Sequence, residues 1–331
     1  MKIAIVILNW NGKQLLEQFL PAMLRYTANT AEIYVADNAS TDTSVQFIKT
    51  NYPQVKIIQN ATNGGYAKGY NDALQGLDAD IYALVNSDIE VSKDWLEPII
   101  QEFKNTPQTA AIQPKILDFK DKKSFEYAGA AGGYIDFFGY PYCRGRLFSS
   151  IEKDHKQYND STPIFWASGA CFFIRSTVFH ELNGFDEDYF AHQEEIDLCW
   201  RIQNKGYTIK YISQSIVYHV GGATLEESNP RKTFLNFRNS LSSILKNTPN
   251  PFFIILSRLL LDGISGVKFI FEGKPLHTWA IVKAHFSFYR FIPIMLKKRK
   301  ALKHKKTAYY HSKSIVWQYF ILGRKKFTNI K

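Results

Sequence analysis

Four short apolar runs, each ending in a cluster of Asn, Asp and Ser, constrain this chain more than any other feature. Ile3 to Leu8 runs into Asn9-Trp10-Asn11-Gly12, and Glu32 to Ala36 into Asp37-Asn38-Ala39-Ser40. Val55 to Ile58 precedes Asn60 to Asn63, and Ile81 to Val85 precedes Asn86-Ser87-Asp88. Ile3 to Leu8 is continuously apolar, as a strand covered on both faces should be. The segments between the four runs carry helical spacing instead. Leu15, Leu16, Phe19, Leu20 and Met23 recur as one helix face. A second helix runs to about Lys49, with Ser40 or Thr41 placed to cap it. Asn63-Gly64-Gly65 makes a turn before a helix from Tyr66 to Gly76. A fourth helix is expected from about Lys93 to Lys104, with Trp95, Ile99, Ile100 and Phe103 inward. Strands alternating with helices at this spacing predict a mostly parallel sheet flanked by helices. Ligands of such sheets bind beyond the carboxyl ends of the strands. All four polar clusters fall there.

The second half is less regular. Residues 118 to 165 are rich in Gly, Tyr and Asp and suggest a long insertion or lid over an acceptor. Phe165 to Ile174 is strand-like, Arg175 to Leu182 a short helix, and Glu194 to Asn204 a helix stopped by Gly206. Tyr207 to Ile212 and Ile216 to Tyr218 are expected as two strands, and Arg231 to Leu245 as a helix. Asn250-Pro251 opens a different region. Phe252 to Phe271 is apolar, but Arg258, Asp262, Ser265 and Lys268 recur along one side. Charges at that density disfavour a spanning helix and favour an amphipathic helix in an interface. Leu276 to Leu296 repeats the pattern and leads into Lys297-Lys298-Arg299-Lys300. Trp317 to Leu322 forms a last apolar cluster. The expected division is 1–248, with halves 1–115 and 116–248, followed by a helical basic extension, 249–331.

Charge is distributed unevenly. The formal net charge is +11, yet residues 273–331 hold 15 Lys or Arg and no Asp or Glu. The first 272 residues carry 26 basic and 30 acidic side chains. A nucleic-acid footprint needs a basic face on the folded domain, so no nucleic-acid partner is expected. A basic aromatic tail fits an anionic membrane surface, with its own domain or a second subunit (a homodimer) as alternative occupants. Three widely spaced cysteines, Cys143, Cys171 and Cys199, form neither a disulfide framework nor a CxxC pair and suit a reducing compartment. The opening MKIAIVILNWNG has too short an apolar run for a secretory signal and is expected as the first strand.

Several motifs in one order resemble the inverting family-2 glycosyltransferases of GT-A fold, especially bacterial rhamnosyltransferase-like members. They are Ile7-Leu8-Asn9-Trp10-Asn11-Gly12, Val35 to Asp42, Asn63 to Asn71, Asn86-Ser87-Asp88, Gly184-Phe185-Asp186-Glu187 and Glu194 to Arg201. The resemblance covers the first ~225 residues and stops by about 245. It implies sugar transfer from a nucleoside-diphosphate donor, dTDP-rhamnose or a UDP-sugar, to a glycan or lipid-linked glycan acceptor in cell-surface polysaccharide synthesis. The widely spaced cysteines and the basic tail suggest a cytoplasmic enzyme, peripheral on the inner face of the cell membrane. The family's Asp-x-Asp motif stands here as Asn86-Ser87-Asp88, which leaves Asp88 as its carboxylate.

On that resemblance, Asp88 and His219 hold a divalent cation, Mn²⁺ or Mg²⁺, that stabilises the leaving diphosphate. Asn86 orders a water or the ribose, and Ser87 sits beside it. Asp37 accepts from the nucleotide base and ribose, with Asn9, Asn38, Gly65 and Lys68 around the nucleotide. Glu195 aligns with the family's base, which takes the acceptor hydroxyl proton. Structural readings stand beside each. Asp88 is also placed to cap the next helix, and His219, ahead of Val220-Gly221-Gly222, to bond backbone. Asp37 fits an Asx-turn, Lys68 water, and Glu194-Glu195 an ordinary acidic helix start. Asp197 and Arg201, four apart, make a salt bridge. Trp166 and Ser168-Gly169 are candidates to shape the sugar pocket. The second function class is a non-catalytic membrane-associated scaffold of degenerate GT-A fold. A dinucleotide oxidoreductase is disfavoured because no GxGxxG follows the first strand.

Overall fold

The computed structural model describes residues 1–27, 30–221, 229–302 and 305–331. Gly222 lies outside them. The chain begins β1 (Ile3–Asn9), α1 (Lys13–Thr27), β2 (Glu32–Asp37), α2 (Ser44–Asn51), β3 (Lys56–Gln59), α3 (Gly65–Leu74), β4 (Ile81–Asn86), β5 (Ile89–Val91) and α4 (Glu97–Asn105). It continues through β6 (Thr109–Asp118), β7 (Gly133–Ile135), β8 (Pro141–Cys143), β9 (Arg146–Leu147), β10 (Ser150–Ile151) and β11 (Thr162–Pro163). Then come β12 (Cys171–Arg175), α5 (Ser176–Glu181), α6 (Glu194–Asn204), β13 (Thr208–His219), α7 (Pro230–Asn247), α8 (Pro251–Phe271) and α9 (Pro275–Ala301).

Among the described residues the main sheet has nine strands, ordered β11-β13-β6-β12-β4-β1-β2-β3, with β5 on β13. The β4-β1-β2-β3 block is parallel, as the alternation of strands and helices predicted. β12 enters antiparallel between β4 and β6 and joins this block to the second half. Alternate side chains of each strand feed two cores. Ala4, Val6, Ala36 and Leu84 pack with Ala67, Tyr70 and Leu74 of α3. Ile5, Ile7, Val35 and Val85 pack with Leu16 and Leu20 of α1 and with Trp95 and Ile99. Burial on both faces is why the strands are continuously apolar. The register sets Asn9 opposite Asp37 and Leu8 opposite Asn86. Three of the polar clusters therefore meet along one sheet edge.

Several local expectations change. The two strands expected around 207–218 are one, β13, with a register shift between Ile212 and Ile216. The polar triplet Ser213-Gln214-Ser215 forms that irregularity, with Gln214 exposed. Helix α4 begins at Glu97, later than expected, because Pro98 fits only the first helical turn. Neither Ser40 nor Thr41 caps α2. That helix starts at Ser44, whose backbone N–H donates to Asp42 Oδ1 at 3.0 Å. The irregular insertion builds a second sheet, β10-β9-β8-β7. Buried Lys115 at its root donates to Asp154 (2.8 Å) and Asn159 (2.6 Å). The chain end folds back on this sheet. Tyr142 and Leu147 share a core with Ile315 and Tyr319, and the Ile315 N–H donates to Asp136.

Helices α8 and α9 form a hairpin whose second arm packs along α7. An interfacial helix would turn Arg258 and Asp262 to water. The structure turns both inward. Arg258 stacks 3.7 Å from the Tyr140 ring centre and donates to the Phe138 carbonyl. Asp262 lies 3.5 Å from Arg258 and 3.2 Å from His285 of α9. Among the described residues, no helix is long and apolar enough to cross a membrane.

Candidate active site

The loops after β1, β2 and β3 are tied to one another. Asn9 is fully buried at the end of β1, and its Nδ2 faces Asp37 Oδ1 (3.2 Å), Ser40 Oγ (3.2 Å) and Ser44 Oγ (3.0 Å). Asp37 also accepts from the Ser40 N–H through Oδ2, closing the Asx-turn that its position allows. Asn38 spends its amide on Asn63 and the Gly65 carbonyl and accepts from Asn60. These three side chains fix the shape of the strand-end platform. Gly65 adopts φ +78°, and a Cβ there would sit 2.6 Å from the Phe190 carbonyl oxygen. The close approach at this glycine is to the second half of the chain. Lys68 forms an ion pair with Asp72 at 2.8 Å on the surface of α3.

Asn86 ends β4 and Ser87 follows it, both half-buried, and the Asn86 N–H donates to the Ala170 carbonyl. Asp88 is buried. His219, at the end of β13, pairs across the sheet with Ile89 of β5, and the Val220 N–H donates to the Asp88 carbonyl. This brings His219 Nε2 to 3.2 Å from Asp88 Oδ1, so residues 131 positions apart in sequence meet. A third group completes the set. Glu126 Oε1 lies 3.2 Å from His219 Nδ1. Burial opposes a charged imidazole, but the two flanking carboxylates outweigh it and push His219 up to about 10. Burial likewise works against the Asp88 carboxylate, and His219 overcomes it, leaving the Asp88 pKa below its ordinary value. Sequence reasoning missed Glu126. It lies in the irregular stretch before β7, and no strand end or motif marks it.

These donors fit a divalent cation of the Mn²⁺ or Mg²⁺ kind. Asp88 offers a carboxylate, and His219 would offer an imidazole nitrogen once a cation displaces its proton, with Glu126 behind the imidazole as orienting carboxylates stand at metal sites. Among the described residues, no three His, Cys, Asp or Glu side chains converge as a closed metal site. A two-ligand site leaves positions for the oxygens of a bound diphosphate, which an open catalytic site requires.

The carboxylate pair sits at the start of α6. Glu194 is buried and Glu195 half-buried, and each has one carboxylate oxygen without a hydrogen-bond partner. Burial pushes Glu195 up to about 7, against the pull of nearby backbone N–H groups. Burial first and the neighbouring Glu195 charge second raise Glu194 well above the carboxylate range. Both carboxylates act electrostatically on Tyr66, whose hydroxyl donates to the Gly169 carbonyl at 2.8 Å. Gly169 precedes Ala170, the partner of Asn86. Tyr66 thus ties α3 to the segment that pairs with Asn86, within electrostatic reach of the carboxylates of α6.

The loop entering α6 is strained. Phe190, His192 and Gln193 all have positive φ, at 65°, 67° and 74°. Such strain in non-glycine residues persists only where neighbours hold it, typically at functional sites. Asn239 of α7 holds it here. Its Nδ2 faces the carbonyls of Tyr189, Ala191 and His192 at 3.0, 3.0 and 2.7 Å. Arg238 donates to the Asp188 and Tyr189 carbonyls. Neither residue was singled out from the sequence, although two polar residues within a core-facing helix were a usable signal. Asp197 and Arg201 make the expected salt bridge at 2.8 Å, extended by Lys246 to Asp186. Trp166 is buried with its ring filling the space a Cβ at Gly133 would need.

Comparison with known proteins agrees with this architecture. The model of the family described as "Glycosyl transferase family 2" matches residues 4–182. An N-acetylglucosaminyl-diphospho-decaprenol L-rhamnosyltransferase of Mycobacterium tuberculosis is 25% identical over 235 residues, 66% of this chain and 75% of its own. The low-salt glycan biosynthesis hexosyltransferase Agl10 of Haloferax volcanii is 24% identical over 286 residues, covering 82% and 86%. Among solved structures, GalNAc-T7 with UDP, GalNAc and Mn²⁺ superposes with a TM-score of 0.61 at 15% identity, over 92% of this chain and 59% of that one. Staphylococcus aureus TarS 1–349 with UDP-GlcNAc gives 0.55 at 16% identity, over 98% and 93%. These likenesses establish the GT-A fold, and the family match spans more than half the chain. The protein is a member of glycosyl transferase family 2.

Proposed function

We propose that this enzyme transfers a sugar, with inversion, from a nucleoside-diphosphate donor to a hydroxyl of a lipid-linked glycan. The donor is dTDP-rhamnose or a UDP-sugar, and the setting is bacterial cell-surface polysaccharide synthesis at the inner face of the membrane. The observation that carries this reading is the pairing of two unlike centres. Asp88 with His219 forms a buried cation-binding corner. Glu195, at the head of α6, is a carboxylate with an unpartnered oxygen and a pKa pushed up to about 7.

In this reading residues 1–115 bind the nucleotide, 116–248 the acceptor, and 249–331 extend the domain as basic helices. Asn9, Asp37 and Asn38 shape the platform under the base and ribose. Gly65, Lys68, Asn86 and Ser87 border the diphosphate, with Lys68 leaving Asp72 to approach it. A bound Mn²⁺ or Mg²⁺ supplies positive charge for the departing diphosphate. Glu195 accepts the proton of the acceptor hydroxyl as its oxygen bonds to the anomeric carbon. The carbon–oxygen bond to the diphosphate breaks on the opposite face, which inverts that carbon. A base is most effective with a pKa near the working pH, which favours Glu195 over the more strongly raised Glu194. The relatives support the acceptor class, since one is named for a decaprenol-linked acceptor.

The test is release of UDP or dTDP from a panel of sugar nucleotides, with a lipid-linked acceptor and added Mn²⁺ or Mg²⁺. Metal-dependent turnover of one donor is expected. Neither turnover nor nucleotide binding with any donor would leave the non-catalytic scaffold as the answer.

A further inference from the structure

Helix α8 of the α8–α9 hairpin presents an apolar stripe to the outside. Its Arg258 and Asp262 are buried, its Lys268 is exposed and paired with Glu272, and many of its apolar residues face outward. On α8, Phe253, Leu256, Leu260, Ile264, Val267 and Phe271 recur at three- and four-residue spacing. All are exposed, Leu260 at 67% and Phe271 at 87%. A stripe this long is more than the scattered apolar exposure of an ordinary surface. On α9, the exposed Leu276, Trp279, Phe286 and Tyr289 give way to Lys297 and Lys300. Near the end of α9 a cleft of about 620 Å³ is lined by Leu296, Lys297, Arg299, Lys300 and Lys305 among others. Arg299 is committed to the carbonyls of Leu245, Thr248 and Pro249. Neither Lys297 nor Lys300 pairs with a carboxylate among the described residues.

We propose that this hairpin docks the enzyme on an anionic bilayer. Its outward apolar side chains enter the interface, and Lys297, Lys300 and Lys305 meet the lipid headgroups. The proposal rests on the reading that the acceptor is lipid-linked, and it names the surface and the lipid charge involved. Inward Arg258 and Asp262 make the geometry coherent. Turned to the lipid, they would be costly, while held between Tyr140, Phe138 and His285 they fasten the hairpin to the body. The segment holds no acidic residue after Glu272, so its charge complements phosphatidylglycerol or a similar lipid. A second copy of the chain is the poorer occupant. A two-fold contact sets the same surface against itself, which would oppose two like-charged arrays.

The experiment is flotation of the full chain with phosphatidylcholine vesicles, with and without phosphatidylglycerol. The wild type should float with the anionic vesicles and lose binding as salt rises. Leu260→Glu with Ile264→Glu should lower bound protein by about tenfold or more, since both acids must enter the interface. Lys297→Glu with Lys300→Glu should remove the preference for anionic vesicles, again by about tenfold or more at low salt. All four positions are exposed, and unchanged thermal unfolding would confirm that the variants fold. Flotation of both variants like the wild type, or none by the wild type, would overturn the proposal. So would a wild-type dimer that the Leu260→Glu, Ile264→Glu variant converts to monomer. UDP binding in solution, read in parallel, separates this outcome from failure of the catalytic reading.

Discussion

Proton removal from a sugar hydroxyl needs a base that binds the proton firmly but is still ionised near neutral pH, and burial brings Glu195, the base proposed above, into that range. Its pKa is pushed up to about 7, so the active, ionised form is lost as pH falls below that value. The prediction is a pH profile of kcat/KM that rises with unit slope and levels near pH 7; a profile level down to about pH 5.5 would remove Glu195 as the base. Glu126 makes a different prediction. Placed 3.2 Å from His219 Nδ1, it orients the imidazole whose other nitrogen faces Asp88. Glu126→Gln should weaken Mn²⁺ binding in the presence of UDP by about 10–100-fold with little change in unfolding midpoint. Metal titration checks it, with Asp88→Asn as the reference for a lost ligand. The strand-end places of Asp88 and His219 and the helix-start place of Glu195 were legible in the sequence, and the family resemblance supplied the roles proposed for them. Glu126 was not, because its role arises only where an irregular segment crosses the end of β13.

At the scale of elements, α7 acts as a clamp on the loop that leads into Glu194 and Glu195. Asn239 satisfies three carbonyls of a segment held at positive φ. Asn239→Ala should cost about 1–3 kcal/mol in urea unfolding and lower kcat more than it raises KM, because it frees the head of α6. The buried network behind α6 is more sensitive. Asp197→Asn leaves Lys246 and Arg201 short of a carboxylate and should cost about 3–5 kcal/mol. Burial works against the Asp197 charge, but Lys246 and Arg201 prevail and depress its folded-state pKa. The contribution is therefore complete above the unfolded carboxylate value of about 3.9 and declines as pH falls below it. The stability gap between wild type and variant should narrow in acid, as equilibrium unfolding at several pH values would show. The parallel block followed from the sequence because the doubly covered β1, β2 and β4 leave an apolar signature, and the alternation with helices placed the edge strand β3 beside them. The two- and three-residue strands of the insertion leave no periodic signature. The bulged β13 resembled two strands because its irregularity is built from Ser213-Gln214-Ser215.

Over the whole molecule, charge and apolarity are segregated by function. The catalytic body carries slightly more acidic than basic side chains, while every charged residue after Glu272 is basic. The sequence showed that segregation, but not that α8 would bury Arg258 and Asp262 and expose its apolar stripe. That orientation depends on Tyr140 and the Phe138 carbonyl, which lie more than a hundred residues away in the insertion. The insertion therefore both covers the second half of the main sheet and anchors the hairpin and the chain end. The most direct test of the account is the transfer rate of Glu195→Gln at saturating donor, acceptor and Mn²⁺, with UDP affinity measured on the same preparation. The account predicts a fall in kcat of about 10²–10⁴-fold with UDP affinity unchanged. Transfer at the wild-type rate would contradict it.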